Sequence, residues 1–286
     1  MIEFNQIYRD GCGRLYCGRI NKGTTFDLES TFDCGQCFRF NRTDENSFSG
    51  VAYGRSVRFY DEGDNVRIEC DSAEDFALWC EFLDMERDYE QIIDALCDEE
   101  LLYRIADYGR GIRILRQEPW EALCSFIISQ NNNIPRIKGI IDRLCEGFGE
   151  RLPGGDYTFP SAQRLSELTE QDLAPIRAGF RIRYILDAAR KVAGGEIDLE
   201  SLRTMPYDDA KAVLKTICGV GDKVANCVLL FGLGHVDAFP VDVWIKRIMD
   251  SKFPNGLPEC ANGNKGIIQQ YLFYYYRAHA NELETE

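Results

Sequence analysis

The sequence predicts an α+β fold: an antiparallel sheet first, then a helical domain. Between Thr24 and Cys70 the chain breaks into strand-length runs separated by Asn, Asp and Gly turns. From Ser72 onward apolar residues recur at helical spacing. The two textures do not alternate, which argues against a sheet built from repeated strand–helix units.

Taken in order, "CFRFN", "SFSGVAYG", "SVRFYDE" and "NVRIEC" read as successive antiparallel strands. "SAEDFALWCEFLDM", "DYEQIIDALC", "PWEALCSFIISQ" and "IPRIKGIIDRLCEGF" read as helices, and "RLPGGDYTFPSAQ" as a loop inside the helical part. "DDAKAVLKTI" and "KVANCVLLFGL" are two further helices joined through "CGVGD". "DAFPVDVWIKRIM" opens another helical pattern, and "NKGIIQQYLFYYYRAHA" is the last. We place the sheet and its accompanying helices in residues 1–110 and the second, helical domain in 111–286. No internal repeat or low-complexity linker is visible.

Composition narrows the functional classes. With 286 residues and 45% hydrophobic content the chain can bury a sizeable core. No apolar run approaches membrane-spanning length, and "MIEFNQIYRDGCGRLYCGRI" lacks the layout of a signal peptide. The expectation is a soluble intracellular protein with no membrane partner. In a reducing compartment its twelve cysteines are free, buried or metal-bound rather than disulfide-linked. The only histidines, His235 and His279, argue against histidine-rich metal sites and a Ser-His-Asp triad. A net charge of −14 weakens a nucleic-acid partner without excluding one, because much of the acid sits in runs such as "CDEE" and the tail "NELETE".

The helix–"CGVGD"–helix segment holds Gly219, Val220 and Gly221. Glycines leave the backbone unobstructed, and the second helix offers free N–H groups and a positive dipole end to a phosphate. An ordinary interhelical turn has the same composition. Lys223 sits where this turn meets an apolar helix. Desolvation and the dipole both favour a neutral amine there, and a neutral lysine is a nucleophile able to form a Schiff base. A lysine that snorkels to water or binds phosphate as a cation is the plainer reading. Asp242, after Pro240, opens the next helix and reads as an N-cap. Consecutive helices would also bring it back towards Lys223, where an amine attacking a sugar C1′ and a carboxylate stabilising the developing positive charge make a working pair.

"GVGDKVANC" followed by "FPVDV" resembles the helix-hairpin-helix (HhH-GPD) DNA glycosylases that carry a catalytic lysine and aspartate. Within that superfamily the sequence is most similar to the eukaryotic-type 8-oxoguanine DNA glycosylase/AP lyases. "DCGQCFRF", the whole stretch "LRQEPWEALCSFIISQNNNIPRIKGIIDRLCEGFG", "AGFRIRYI" and "QQYLF" have counterparts there in the same order, so coverage runs from about Phe26 to Arg277. The hairpin alone is specific only to the superfamily; the ordered set is far more specific.

The resemblance implies roles. Lys223 would be the Schiff-base nucleophile and Asp242 its acidic partner. The Gly35 carbonyl would accept the N7 proton that 8-oxoguanine has and guanine lacks. Phe273 and Cys227 would sandwich the flipped base, and Gln269 would bond its Watson–Crick edge. Gln269 and Phe273 share a helix face, as they also would in an amphipathic core helix. Asn131, in a polar patch with Asn132, would fill the gap left by the base. Arg136 and Arg181 would read the opposite cytosine, and Phe180 would wedge into the stack. The C-terminal helix would complete the base pocket. The partner is double-stranded DNA containing 8-oxoguanine, met in a prokaryotic nucleoid (cytoplasmic) or a eukaryotic nucleus (nuclear). No redox or nucleotide cofactor is required, and nothing demands more than a monomer.

Three positions depart from the family pattern. Phe180 stands for the usual tyrosine, Trp244 for a phosphate-contacting histidine, and Cys218 for a proline before the hairpin glycine. Cys12, Cys17, Cys34 and Cys37 could form a zinc site, and Cys34 and Cys37 a redox pair, but the spacings fit those motifs only partly. Gly35 between the last two is the better candidate for function. Related glycosylases with an iron–sulfur cluster carry four clustered cysteines near the C-terminus. Cys260 stands alone after Cys227, so no cluster is expected. Alternatives are a monofunctional glycosylase for alkylated bases, a non-catalytic DNA-binding module, and a cysteine-based zinc or redox protein.

Overall fold

The computed structural model describes residues 2–10 and 13–283. Six strands, β1 (Ile2–Asp10), β2 (Gly13–Asn21), β3 (Phe40–Asp44), β4 (Ser47–Ala52), β5 (Arg55–Asp61) and β6 (Asn65–Cys70), form one antiparallel sheet in the order β1-β2-β6-β5-β4-β3. The runs read as strands from "SFSGVAYG" to "NVRIEC" are β4, β5 and β6. Two features differ from expectation. The β1–β2 hairpin was not foreseen; β2 gains its partner from β6, far along the chain, through pairs such as Ile20 with Val66. The strand expected at "CFRFN" begins only at Phe40. Gly35, at φ +82, breaks the extended path, and the side chain of Gln36 is fully buried in the resulting bend.

Thirteen α-helices are seen among the described residues. Before the helical half come α1 (Leu28–Phe32), α2 (Ala73–Phe82), α3 (Tyr89–Asp94) and α4 (Glu100–Tyr108). Then follow α5 (Pro119–Ser129), α6 (Ile134–Phe148), α7 (Ala162–Ser166), α8 (Glu170–Leu173) and α9 (Arg181–Ala193). The last are α10 (Tyr207–Leu214), α11 (Asp222–Phe231), α12 (Val243–Lys252) and α13 (Lys265–Ala278). Their starts carry the expected chemistry: Ser72, Asp88, Asn133 and Asp242 each accept a first-turn N–H through the side chain. None of the helices is long and apolar enough to cross a membrane.

Two hydrophobic clusters hold the chain together. The inner face of the sheet contributes Phe40, Phe48 and Phe59, which pack with Phe32, Trp79 and Phe82. The larger cluster surrounds α11, whose residues from Val224 to Phe231 are all buried. Packing crosses the expected 110/111 boundary. Tyr89, Ile93, Leu102 and Ile105 of α3 and α4 belong to the helical cluster, and α4 rests on α13, whereas Leu115 belongs to the sheet cluster. The segment before α5 ties the two together. Arg113 is 3% exposed, donates to the carbonyls of Leu83, Thr25, Asp84 and Arg87, and stacks on Tyr89.

Glu118, at the start of α5, has no side-chain capping bond. Burial, with Glu121 adding like-charge repulsion, pushes its carboxyl up to about 7 from the ordinary 4.5. A carboxyl whose folded value is raised favours the fold below its unfolded value, and that contribution is lost as pH rises towards 7. Glu118→Gln should therefore leave stability almost unchanged at pH 4.5 and raise it at pH 7.5 by on the order of 2 kcal/mol. Urea melts at the two pH values check this, and equal effects at both would contradict it.

Candidate active site

The hairpin lies between α10 and α11. Gly219 has φ +79, and a Cβ there would meet the Tyr184 ring at 2.3 Å, so the turn closes onto α9 only without a side chain. The Cys218 N–H donates to Asp187 at 2.7 Å and Val220 is buried, which pins the turn from both sides. Gly221 is the N-cap of α11, with no side-chain cap and open space about its α-carbon. The first-turn N–H groups of α11 are left for an anion. Gly219→Ala should cost roughly 1–3 kcal/mol from backbone strain alone, as thermal melts would show. A variant with wild-type melting temperature would mean that the turn tolerates the clash.

Lys223 is the second residue of α11 and is half-buried. Its Nζ lies 3.4 Å from Ser129 Oγ and 5.6 Å from the centre of the Phe126 ring. Asp242 caps α12, with Oδ1 accepting the Ile245 N–H at 2.8 Å. Both sequence readings of Asp242 are therefore compatible: one oxygen caps the helix while the residue faces the same cavity as Lys223. Asn226, one turn beyond Lys223, sets their spacing. Its Nδ2 donates to the Phe239 carbonyl at 3.1 Å, and its Oδ1 accepts from the Tyr207 hydroxyl at 2.7 Å. The helix that carries Lys223 is thus tied to the segment that delivers Asp242.

A cavity of about 70 Å³ is lined by Gly35, Lys223, Cys227, Asp242, Gln269 and Phe273, which are the six residues singled out for chemistry or base recognition. Cys34, Phe126, Phe231, Pro240 and Gln270 complete it. Gln269 is 5% exposed, and its Oε1 has no hydrogen-bond partner among the described residues. A buried acceptor left without a donor costs roughly 1–3 kcal/mol, and a ligand N–H in the cavity would recover it. The Phe273 ring reaches within 3.8 Å of where a Gly35 Cβ would stand. Burial pushes the Cys227 thiol up although Lys223 beside it pulls the other way, so this cysteine is a neutral wall rather than a rival nucleophile.

Asn131, Asn132, Arg136, Phe180 and Arg181 gather around the end of α5 and the start of α9. Asn131 has φ +47 and is exposed after the end of α5. Asn132 folds back, its Nδ2 donating to the Ile128 carbonyl at 3.1 Å. Phe180 is 46% exposed, unusual for so large an apolar ring. Arg136 is exposed and close enough to Arg181 to lower the latter's affinity for its proton, together with burial, the larger effect. Arg181 is itself enclosed in the absence of DNA. It is 3% exposed, and its guanidinium donates to the carbonyls of Gln130, Asn131 and Ala178. In this structure it shapes the turn that presents Asn131, and Arg136 is the arginine left at the surface. Val243 and Trp244, beside Asp242, are also exposed.

Residues that the sequence did not suggest include Phe126, Ser129, Phe231 and Gln270. All lie in apolar or amphipathic helical runs, where nothing separates a cavity wall from core. Cys17, Cys34 and Cys37 are buried free thiols, and among the described residues no group of three His, Cys, Asp or Glu is placed to ligate a metal. Cys12 lies outside them. Burial pushes the Cys34 thiol to about 12 and Cys37 well above its ordinary value, which keeps both protonated and unreactive.

A lysine behind a glycine hairpin and a helix-capping aspartate that line one cavity fit the class of helix-hairpin-helix base-excision repair proteins. Residues 124–254 match the family model of the HhH-GPD superfamily base excision DNA repair proteins, and residues 19–123 match the N-terminal domain of 8-oxoguanine DNA glycosylase. The chain is 32% identical to the Arabidopsis thaliana N-glycosylase/DNA lyase OGG1 over 258 residues, 85% of this chain and 70% of that one. It is 36% identical to the Clostridium acetobutylicum 8-oxoguanine glycosylase/lyase, solved in complex with double-stranded DNA containing cytosine opposite 8-oxoguanine. The TM-score is 0.86, with 97% of this chain and 99% of that one covered. Against the Saccharomyces cerevisiae N-glycosylase/DNA lyase it is 41% identical over 155 residues, 49% of this chain but only 41% of the yeast protein. The chain belongs to the 8-oxoguanine DNA glycosylase (N-glycosylase/DNA lyase) family.

Proposed function

We propose that the protein is a bifunctional DNA glycosylase/AP lyase that excises 8-oxoguanine from duplex DNA, preferentially opposite cytosine. The carrying observation is a single cavity in which Lys223 and Asp242 meet an unpartnered Gln269 acceptor and the Gly35 loop. The hairpin backbone takes up a phosphate, Phe180 enters the stack, and the flipped purine displaces the Phe273 ring from over Gly35. A cavity of about 70 Å³ is well below ordinary ligand pockets of roughly 300 Å³ or more, so base entry requires its walls to part.

The chemistry balances with this chain's own groups. The Lys223 lone pair forms a bond to C1′ as the bond from C1′ to the base breaks, and the base leaves with that electron pair and gains a proton. Asp242 stabilises the positive charge that develops on the sugar. Ring opening gives a Schiff base, and loss of a C2′ proton expels the 3′ phosphate by β-elimination. The site of action is wherever the cell keeps its DNA, the nucleoid of a prokaryote or the nucleus of a eukaryote.

The test is borohydride trapping on a duplex with one 8-oxoguanine opposite cytosine. A covalent protein–DNA adduct is expected. Base release without an adduct would make water the nucleophile and the enzyme monofunctional, and the absence of both adduct and released base would overturn the substrate assignment.

A further inference from the structure

The bend that carries Gly35 is held through its carbonyls by side chains, one from the bend itself and three from far along the chain. The Thr31 carbonyl accepts from Gln36 Nε2 at 2.9 Å, and the Asp33 carbonyl from Arg277 Nη2 at 2.9 Å. The Cys34 carbonyl accepts from Gln270 Nε2 at 2.8 Å, and the Gln36 carbonyl from Gln117 Nε2 at 2.7 Å. Among the described residues no donor reaches the carbonyl of Gly35. Its neighbours on both sides are fixed, and it alone remains for a ligand at the cavity wall.

We propose that Gln270 is a positioning residue for lesion discrimination, its amide locking the Cys34–Gly35 peptide so that the Gly35 carbonyl stays presented to N7 of the bound purine. This rests on the 8-oxoguanine reading above. A carbonyl opposite N7 attracts the N7–H of 8-oxoguanine and repels the lone pair of guanine. It discriminates only if it cannot rotate away, because a loose carbonyl would escape the repulsion and dilute the attraction. Gln270 is 3% exposed, lines the cavity, and directly follows Gln269 on α13. The same helix therefore supplies both the acceptor for the base edge and the clamp behind the carbonyl. A buried amide that spans the fold to reach one peptide group fits this task better than bulk packing does.

Gln270→Leu removes the donor at similar volume. Single-turnover rates would be measured on duplexes with 8-oxoguanine or undamaged guanine opposite cytosine, and strand cleavage on a preformed abasic site, where no base is read. The ratio of 8-oxoguanine to guanine excision should fall by about tenfold, the scale of one lost hydrogen bond, while abasic cleavage is largely retained. An unchanged ratio, or a parallel fall of all three rates, would overturn the proposal and leave Gln270 a packing residue. Gln270→Glu supplies a test within one protein. Protonated, it can donate to the Cys34 carbonyl; ionised, it repels it. Discrimination should recover as pH falls, relative to wild type at each pH, and a flat relative profile would count against the clamp. Wild-type protein that cleaves abasic sites but ignores 8-oxoguanine would instead sink the substrate reading, an outcome distinct from any of these.

Discussion

Lys223→Gln is expected to abolish borohydride trapping and to slow base excision by on the order of 10³-fold or more, since it removes the atom that forms the new bond. Damaged-duplex affinity should stay within a few-fold. Glutamine, one bond shorter, keeps a polar end beside Ser129 and over the Phe126 ring, both neighbours of the Lys223 amine. The phosphate contacts assigned to the hairpin come from backbone N–H groups that the substitution leaves in place. Gel-shift titration paired with a trapping assay separates the two effects. Trapping that persists would place the nucleophile elsewhere.

Asp242→Asn is the second large effect, and here the structure makes the experiment clean. The capping bond to the Ile245 N–H uses a side-chain oxygen that asparagine also has, and asparagine is as good an N-cap as aspartate. Thermal stability should change little. The negative charge facing Lys223 is lost, and excision should fall by about 10²–10³-fold, the usual size of one removed electrostatic stabiliser. Asp242→Ala should lose both, with roughly 1 kcal/mol of stability gone as well. If the asparagine variant retained full activity, Asp242 would be a cap only.

The identity of the candidate site was legible in short motifs. The hairpin glycines, Lys223 and Asp242 lie within one stretch of chain, where local rules about turns, helix starts and caps, together with the family resemblance, single them out as candidates. The long helices were legible for the same reason, because periodicity is a property of neighbours in sequence. The β1–β2 hairpin was not, since β2 is completed by β6, and neither was the delayed start of β3, which Gly35 and the burial of Gln36 impose. Nor was it legible that Arg181, beside Phe180, is enclosed by carbonyls of the chain around residues 130 and 178.

Local sequence thus decided which elements form and which side chains could do chemistry, because capping, turn geometry and amphipathic spacing act over a few residues. Tertiary structure alone decided which polar atoms remain free to act. The Gly35 carbonyl is open because the donors from Gln117, Gln270 and Arg277 go to its neighbours, and the Gln269 acceptor is open because nothing on the facing helices reaches it. A hydrogen bond left unmade in a buried site is the sum of every partner brought near it, and no local pattern encodes that sum.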